Sequence, residues 1–192
     1  MAEPGYLDLT VRDYLGQVAA ATPAPGAGAV SATTVALAAG LAAMAAGLSH
    51  RQLADAEQLA DRMRDLQDQA APLAQRDAAA YGEVLAALRR PADDPDRPGA
   101  LHEALSRAAD VPLEIAALGA AVLDVATDVA DRGNPNLRGD ALTSCLLAQA
   151  AVRAATALVV LNVADDRDPR RVRAAELDGA AQRVPLPTPD VA

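Results

Sequence analysis

Between Thr22 and Leu48 the chain reads TPAPGAGAVSATTVALAAGLAAMAAGL, a turn rich in Pro and Gly that runs into 19 residues, Val30 to Leu48, without a charge. A segment apolar on every side has to be covered on every side, so it is either a central core helix or a membrane span. Ala makes up most of the run, with Thr33, Thr34, Gly40 and Met44 set into it, and no Arg cluster or aromatic belt marks either end. Such a run is weakly hydrophobic for a span, and a buried core helix is the expectation. The turn that opens it, Pro25-Gly26-Ala27-Gly28, puts free backbone N–H groups at a helix N-terminus, which suits an anionic or carbonyl-bearing ligand.

Of 192 residues, 50 are Ala and three are Tyr, and there is no Phe or Trp. The best helix former is in excess, while the aromatic strand formers are almost absent. The expected fold class is all-α, a bundle of about five or six helices with two buried Ala-rich central helices. The length suits one domain over residues 1–192, with the Pro-rich tail after residue 183 expected to be mobile. The N-terminal MAEPGYLDL carries neither a basic n-region nor a long apolar h-region, so a soluble, cytoplasmic protein is expected.

The net charge is −9 and all 17 cations are Arg. An acidic chain without a basic stripe argues against nucleic acid or an anionic membrane as partner. Without Lys, Schiff-base chemistry and a lysine nucleophile are excluded. The single Cys145 lies in an apolar helical run and is expected to be a buried, inert thiol.

Leu7 to Ala21 reads as a first helix, with Leu7, Val11, Leu15 and Val18 on one face. Thr22 to Pro25 ends it, and the uncharged run is the second. His50 to Arg90 is a long third helical region that Pro72 should kink or divide. After the Pro-rich loop Arg90 to Gly99, another helical stretch runs from Ala100 to Asp131, with an interruption expected at Pro112. Arg132 to Gly139 is a Gly/Asn/Pro-rich connection, Asp140 to Val163 the second nearly uncharged helix, and Pro169 to Gln182 a shorter polar one.

HExxH, CxxC and ExxH patterns are absent, His50 and His102 are isolated, and the Gly-rich turn lacks the Lys-Ser/Thr ending of a phosphate loop. Neither a metal nor a cofactor is expected. Three polar islands remain in the apolar frame: the Gly26–Gly28 turn with Ser31, the i,i+4 pair Asp77 and Tyr81, and Asn134, Asn136 and Asp140 at the entry to the second buried helix. Each has a plain alternative. Asp140 can be a helix cap or first-turn carboxylate, and Asp77 with Tyr81 a hydrogen bond that positions two helices.

In order along the chain stand APGAGAVSA (Ala24 to Ala32), Met44, DAAAY (Asp77 to Tyr81), VPL (Val111 to Leu113), GNPNLRGD (Gly133 to Asp140) and LNV (Leu161 to Val163). That series resembles the cyclodeaminase domain of formiminotransferase-cyclodeaminase, a group that includes methenyltetrahydrofolate cyclohydrolases. The resemblance implies a bundle of long helices that forms a homodimer, with a folate as small-molecule substrate bound near the subunit interface. It implies chemistry at the amidine-like carbon that bridges N5 and N10: closure of 5-formiminotetrahydrofolate with loss of ammonia, or hydration of the methenyl bridge to 10-formyltetrahydrofolate. Both pass through a tetrahedral adduct and need proton transfers and a carboxylate suited to a cation. Asp140 is the first candidate for that carboxylate and Asp77 the second. Substrate binding falls to Gly26, Ala27, Gly28, Ser31, Tyr81, Asn134, Asn136 and Asn162, with the Gly26–Val30 amides on a carbonyl or carboxylate and Arg138 on the glutamate tail.

The chain departs from the family pattern at Ala27 and Ala29, where the turn usually carries Gly and Ser, at Gly139 in place of Ser, and at Leu158 in place of Asn. Ser49-His50-Arg51-Gln52 replaces a basic Gly-Lys segment. Two further readings therefore stand beside the folate enzyme: a divergent relative acting on another imine, iminium or amidine, and a non-catalytic dimeric binding bundle.

Overall fold

The structure, a computed structural model, describes residues 5–185; the tail expected to be mobile lies largely outside them. Every regular element among the described residues is helical: α1 (Val11–Val18), α2 (Ala27–Gly47), α3 (Ala56–Ala70), α4 (Leu73–Leu88), α5 (Arg97–Ala108), α6 (Asp110–Arg132), α7 (Arg138–Asn162) and α8 (Pro169–Arg183), with 3-10 turns at Tyr6–Asp8 and Pro135–Leu137. The all-α reading holds, and the boundaries follow local chemistry. The first helix is shorter than its apolar spacing predicts, because the Thr10 hydroxyl accepts the Asp13 N–H at 3.1 Å and caps the chain there. Pro72 divides the third region as expected. The stretch 100–131 divides at Ala109 rather than at Pro112, which sits inside the first turn of α6. An amide in that turn has no intrahelical acceptor, so proline costs nothing there.

The uncharged run is the axis of the bundle. α2 packs against α3, α4, α6 and α7, and Ala29, Ala32, Val35, Ala38, Ala39, Ala42, Ala45 and Ala46 are buried on it. α7 is the second central helix, burying Ala141, Cys145, Ala148, Val152, Ala155 and Val159. Both are long and apolar enough to cross a membrane, yet the other helices pack around them. Small residues set how closely the axes approach. A Cβ added at Gly119 of α6 would lie 2.9 Å from a Val152 methyl and 3.2 Å from a Val35 methyl, so three helices meet at that position. The buried Ser144 hydroxyl donates to the Ala38 carbonyl at 2.7 Å and ties α7 to α2. Cys145 is buried as expected, and burial pushes its thiol above the ordinary value.

One strip of α2 is not covered. Val30, Leu37 and Met44, seven residues apart, face outward, with Leu37 61 % exposed, and Leu48 follows one turn on. Leu146 of α7 is exposed as well, and so are Leu7, Val11, Leu15 and Val18. The apolar face predicted for the first helix therefore exists but points away from the core. Tyr14 is the one residue of α1 that is not exposed.

α8 closes the other side through Arg170. Its guanidinium donates to the Ser106 carbonyl and hydroxyl, to Asp110 and to Asp168, so one side chain joins α8 to the joint between α5 and α6.

Candidate active site

The N-terminus of α2 is built in an unusual way. Its N-cap is Gly26, which has no side chain to satisfy the first-turn amides. The acceptor comes instead from α4, where the Asp77 carboxylate takes the Ala29 N–H. Gly28 makes this possible. A Cβ at that position would lie 1.9 Å from Asp77 Oδ1 and 2.2 Å from its Cγ, so the carboxylate rests directly on the glycine backbone. Thr22 to Pro25, with a cis Ala24–Pro25 peptide, brings the chain over this end of the helix.

A cleft of about 270 Å³ opens beside that contact. Pro23, Ala24, Gly26, Ala27 and Gly28 form one wall, and Asp77, Ala78 and Tyr81 of α4 form the second. Ala108, Pro112, Leu158 and Asn162 close it at the meeting of α5, α6 and α7. Asn162, at the last turn of α7, donates to the Ala108 carbonyl at 3.1 Å and holds the joint between α5 and α6 against the cleft. Asp77 is the one charged residue among the lining residues. Burial pushes its carboxyl above the ordinary value of 3.8, and the Ala29 N–H offsets this only in part. A half-buried carboxylate of this kind takes up and returns a proton readily, and its charge stabilises a cation held in an otherwise apolar cleft.

Gly26, Ala27, Gly28, Asp77, Tyr81 and Asn162 thus line one cleft, from motifs far apart in the chain. The predicted set of turn amides is narrower than Gly26–Val30. Ala29 is held by Asp77, and the Val30 N–H donates to the Gly26 carbonyl at 3.0 Å. Ser31 is buried and donates to the Ala27 carbonyl at 2.8 Å, outside the cleft. The third island lies at the opposite end of α2, which at 21 residues is about 30 Å long. There Asn134 donates from its backbone to the Ser49 hydroxyl and from its side chain to the Leu48 carbonyl, closing the C-terminal end of α2. Its own Oδ1 accepts the Asn136 N–H. Arg138 begins α7 and Asp140 sits in its first turn, both half-buried. Within one chain, then, Asn134, Asn136, Arg138 and Asp140 do not reach the cleft.

Reading the sequence missed the walls Pro23 and Ala108, while Ala78 falls within the DAAAY motif. Small apolar residues look the same whether they line a core or a cleft, and no signal marks these. Pro112 and Leu158 were flagged as a motif member and a departure, and both line the cleft.

The model of the family described as formiminotransferase-cyclodeaminase matches residues 10–178. The chain belongs to that family. It is similar to a methenyltetrahydrofolate cyclohydrolase from Methylorubrum extorquens, at 30 % identity over 182 residues that cover 88 % of each protein. It is also similar to the rat formimidoyltransferase-cyclodeaminase, at 30 % identity over 179 residues, but spans only 32 % of that longer protein. Among solved structures, the formiminotetrahydrofolate cyclodeaminase of Thermotoga maritima shares the fold with a TM-score of 0.78 and 25 % identity, over 91 % of this chain and 90 % of that one. Ala27 and Leu158 are both among the cleft residues, and each adds an apolar side chain to the wall.

Proposed function

We propose that the chain is a cytoplasmic folate enzyme that hydrates the methenyl bridge of 5,10-methenyltetrahydrofolate, with Asp77 as its acid–base group. The observation that carries the reading is the Asp77 carboxylate, seated on Gly28 at the mouth of a helix N-terminus and alone in charge in its cleft. The bridge is a cation, and the carboxylate faces it without a competing positive side chain. Asp77 takes a proton from the attacking water as the C–O bond forms. It returns that proton to N5 as the C–N5 bond breaks, and the remaining hydroxyl loses its proton to give the N10-formyl group. One carboxylate carries these proton transfers, and the proton of the hydroxyl leaves to solvent. The Gly26–Gly28 turn receives the carbonyl edge of the pterin, with Tyr81 and Asn162 opposite. In the alternative, closure of a formimino group, the carboxylate takes the N10 proton as the N10–C bond forms and gives it to the amino nitrogen as the C–N bond breaks and ammonia leaves. Hydration stands first because the relative at 30 % identity is named a cyclohydrolase, against 25 % identity to the cyclodeaminase that also aligns over nearly its whole length.

The test is the loss of methenyltetrahydrofolate absorbance above its spontaneous rate, beside ammonia release from 5-formiminotetrahydrofolate. Turnover of either supports a folate enzyme. Turnover of neither favours the second reading, an imine or amidine of another skeleton, which the apolar Ala27 and Leu158 suit.

The working unit in this reading is a homodimer joined through Val30, Leu37 and Met44 of α2 with the outer face of α1. At about 270 Å³ the cleft takes only the reacting end of a folate, since ligand pockets typically run from about 300 Å³ upward. A two-fold axis perpendicular to α2 brings the far end of the partner's α2 beside the cleft, and with it a second Asn134, Asn136, Arg138 and Asp140. In that arrangement Asp140 assists the cation and Arg138 receives the glutamate tail. Asp77→Asn and Asp140→Asn proteins, each inactive alone, then regain about a quarter of wild-type activity after subunit exchange, because half the dimers are mixed and each mixed dimer has one intact site. No recovery on mixing, or an Asp140→Asn change in stability alone, removes the shared site and leaves Asp140 as a first-turn helix residue.

A further inference from the structure

The back wall of the cleft is made of two pieces. Ala108 and Pro112 belong to the joint between α5 and α6, and Leu158 and Asn162 to the last turns of α7. None of the lining residues comes from α8, yet the first turn of α8 grips both pieces. The joint has no side-chain cap of its own, since Ala109 is at once the C-cap of α5 and the N-cap of α6. Arg170 supplies the fastening. Its Nε and one terminal nitrogen donate to the Asp168 carboxylate at 3.0 and 2.7 Å, which fixes the plane of the guanidinium. The remaining donors reach the Ser106 carbonyl, the Ser106 hydroxyl at 2.9 Å and Asp110 at 3.0 Å. All five N–H donors of this arginine are thereby used.

Arg171 holds the second piece. It donates to the Val163 carbonyl at 2.8 Å, at the C-terminal end of α7, where carbonyls lack helical partners. Beside the arginines, Ala109, Val159, Val163 and Ala174 form a small buried core shared by the joint, α7 and α8. The two pieces meet at the cleft through the hydrogen bond from Asn162 to the Ala108 carbonyl, at 3.1 Å. We infer that Arg170 and Arg171 are positioning residues of the candidate active site. Together they clasp the two pieces at the spacing that the Asn162–Ala108 hydrogen bond needs, and so fix where Asn162 stands in the cleft. The inference rests on the cleft being the folate site proposed above. The effect falls on binding rather than on chemistry. Asp77 is held from α2, by Gly28 and the Ala29 N–H, whereas the arginines act on α5, α6 and α7.

The experiment compares wild type with Arg170→Lys in the full chain. Lysine keeps the charge beside Asp110 and Asp168 but replaces a planar fork with a flexible stem. KM for 5,10-methenyltetrahydrofolate is expected to rise on the order of tenfold, with kcat kept within about twofold. A purely structural arginine would instead lower the folded fraction, and with it kcat, at an unchanged KM. In an Asn162→Ala background the KM change on Arg170→Lys is expected to shrink to about twofold or less, because the contact it acts through is gone. The Asn162 side-chain amide in ¹⁵N–¹H spectra gives a readout that needs no substrate, and its loss in Asn162→Ala identifies it. In Arg170→Lys it is expected to move toward the position of a solvent-exposed amide and to exchange faster. Arg171→Ala moves the same amide and KM in the same direction, and takes the place of Arg170→Lys if that protein does not fold. An Asn162 amide at its wild-type position in the folded variant overturns the inference. So does an unchanged KM, or a KM change of equal size with and without Asn162. Absence of folate turnover in wild type, with the amide moving as stated, would instead reject the folate reading and leave the clasp standing.

Discussion

Asp77→Asn is expected to abolish turnover while leaving the protein at least as stable as wild type at pH 7. The loss of rate is that of removing an acid–base group, about 10²- to 10⁴-fold. The stability follows from the sign of the shift. Burial holds the Asp77 carboxyl above 3.8, so the folded state binds its proton more tightly than the unfolded chain does. That contribution to stability is complete below 3.8 and is lost as pH rises through the folded value. At pH 7 the ionised carboxylate therefore weighs against folding, and a neutral amide removes that cost. Asn keeps an oxygen for the Ala29 N–H, so the cap on α2 survives. Melting temperatures at pH 7 and near pH 4 check this, with the variant's advantage shrinking at the lower pH. A residue that served only as a cap would keep turnover in Asp77→Asn and lose stability only in Asp77→Ala, which removes the acceptor.

Gly28→Ala is expected to be nearly as damaging to activity, and to cost stability as well. The new methyl would lie 1.9 Å from Asp77 Oδ1, with the whole carboxylate within 2.5 Å. The carboxylate must swing away, which breaks its contact with the Ala29 N–H and empties the cleft of its charge. The overpacking and the unmade hydrogen bond together cost about 1–3 kcal/mol. Gly82→Ala provides the contrast. It stands one residue after Tyr81 in the interior of α4, and a methyl there meets nothing within 4 Å. That change stabilises the helix by about 1 kcal/mol. Thermal melts and steady-state rates of the two variants separate a glycine required by the site from one that is not.

Where fold and site were legible in the sequence, the signal was local. Fifty Ala, with no Phe or Trp and only three Tyr, imply helices packed at close range, and the charge-free run had to be central. Pro72 marked its boundary, whereas Pro112 misled, because a proline in a first helical turn looks the same in sequence as one that breaks a helix. The stripe of Leu7, Val11, Leu15 and Val18 was visible, but its direction was not, since nothing in the described chain covers it. In the site, the i,i+4 spacing of Asp77 and Tyr81 guarantees one face of α4, and both line the cleft. The ranking of Asp140 over Asp77 rested on the resemblance, while the position of Asp77 depends on Gly28, a contact between helices that no spacing encodes. Asn134 and Ser31, polar and near the motifs, turned out to be bonded to helix backbone.

The central claim is that the substrate binds at the N-terminal end of α2. Amide chemical-shift mapping of the full chain, titrated with a stable tetrahydrofolate analogue, tests it most directly. The largest shifts are expected at Gly28 and Ala29, with smaller ones at Ala78, Tyr81 and Asn162. Saturable binding that leaves the Gly28 and Ala29 amides unmoved, with shifts confined to Asn134–Asp140, would contradict it.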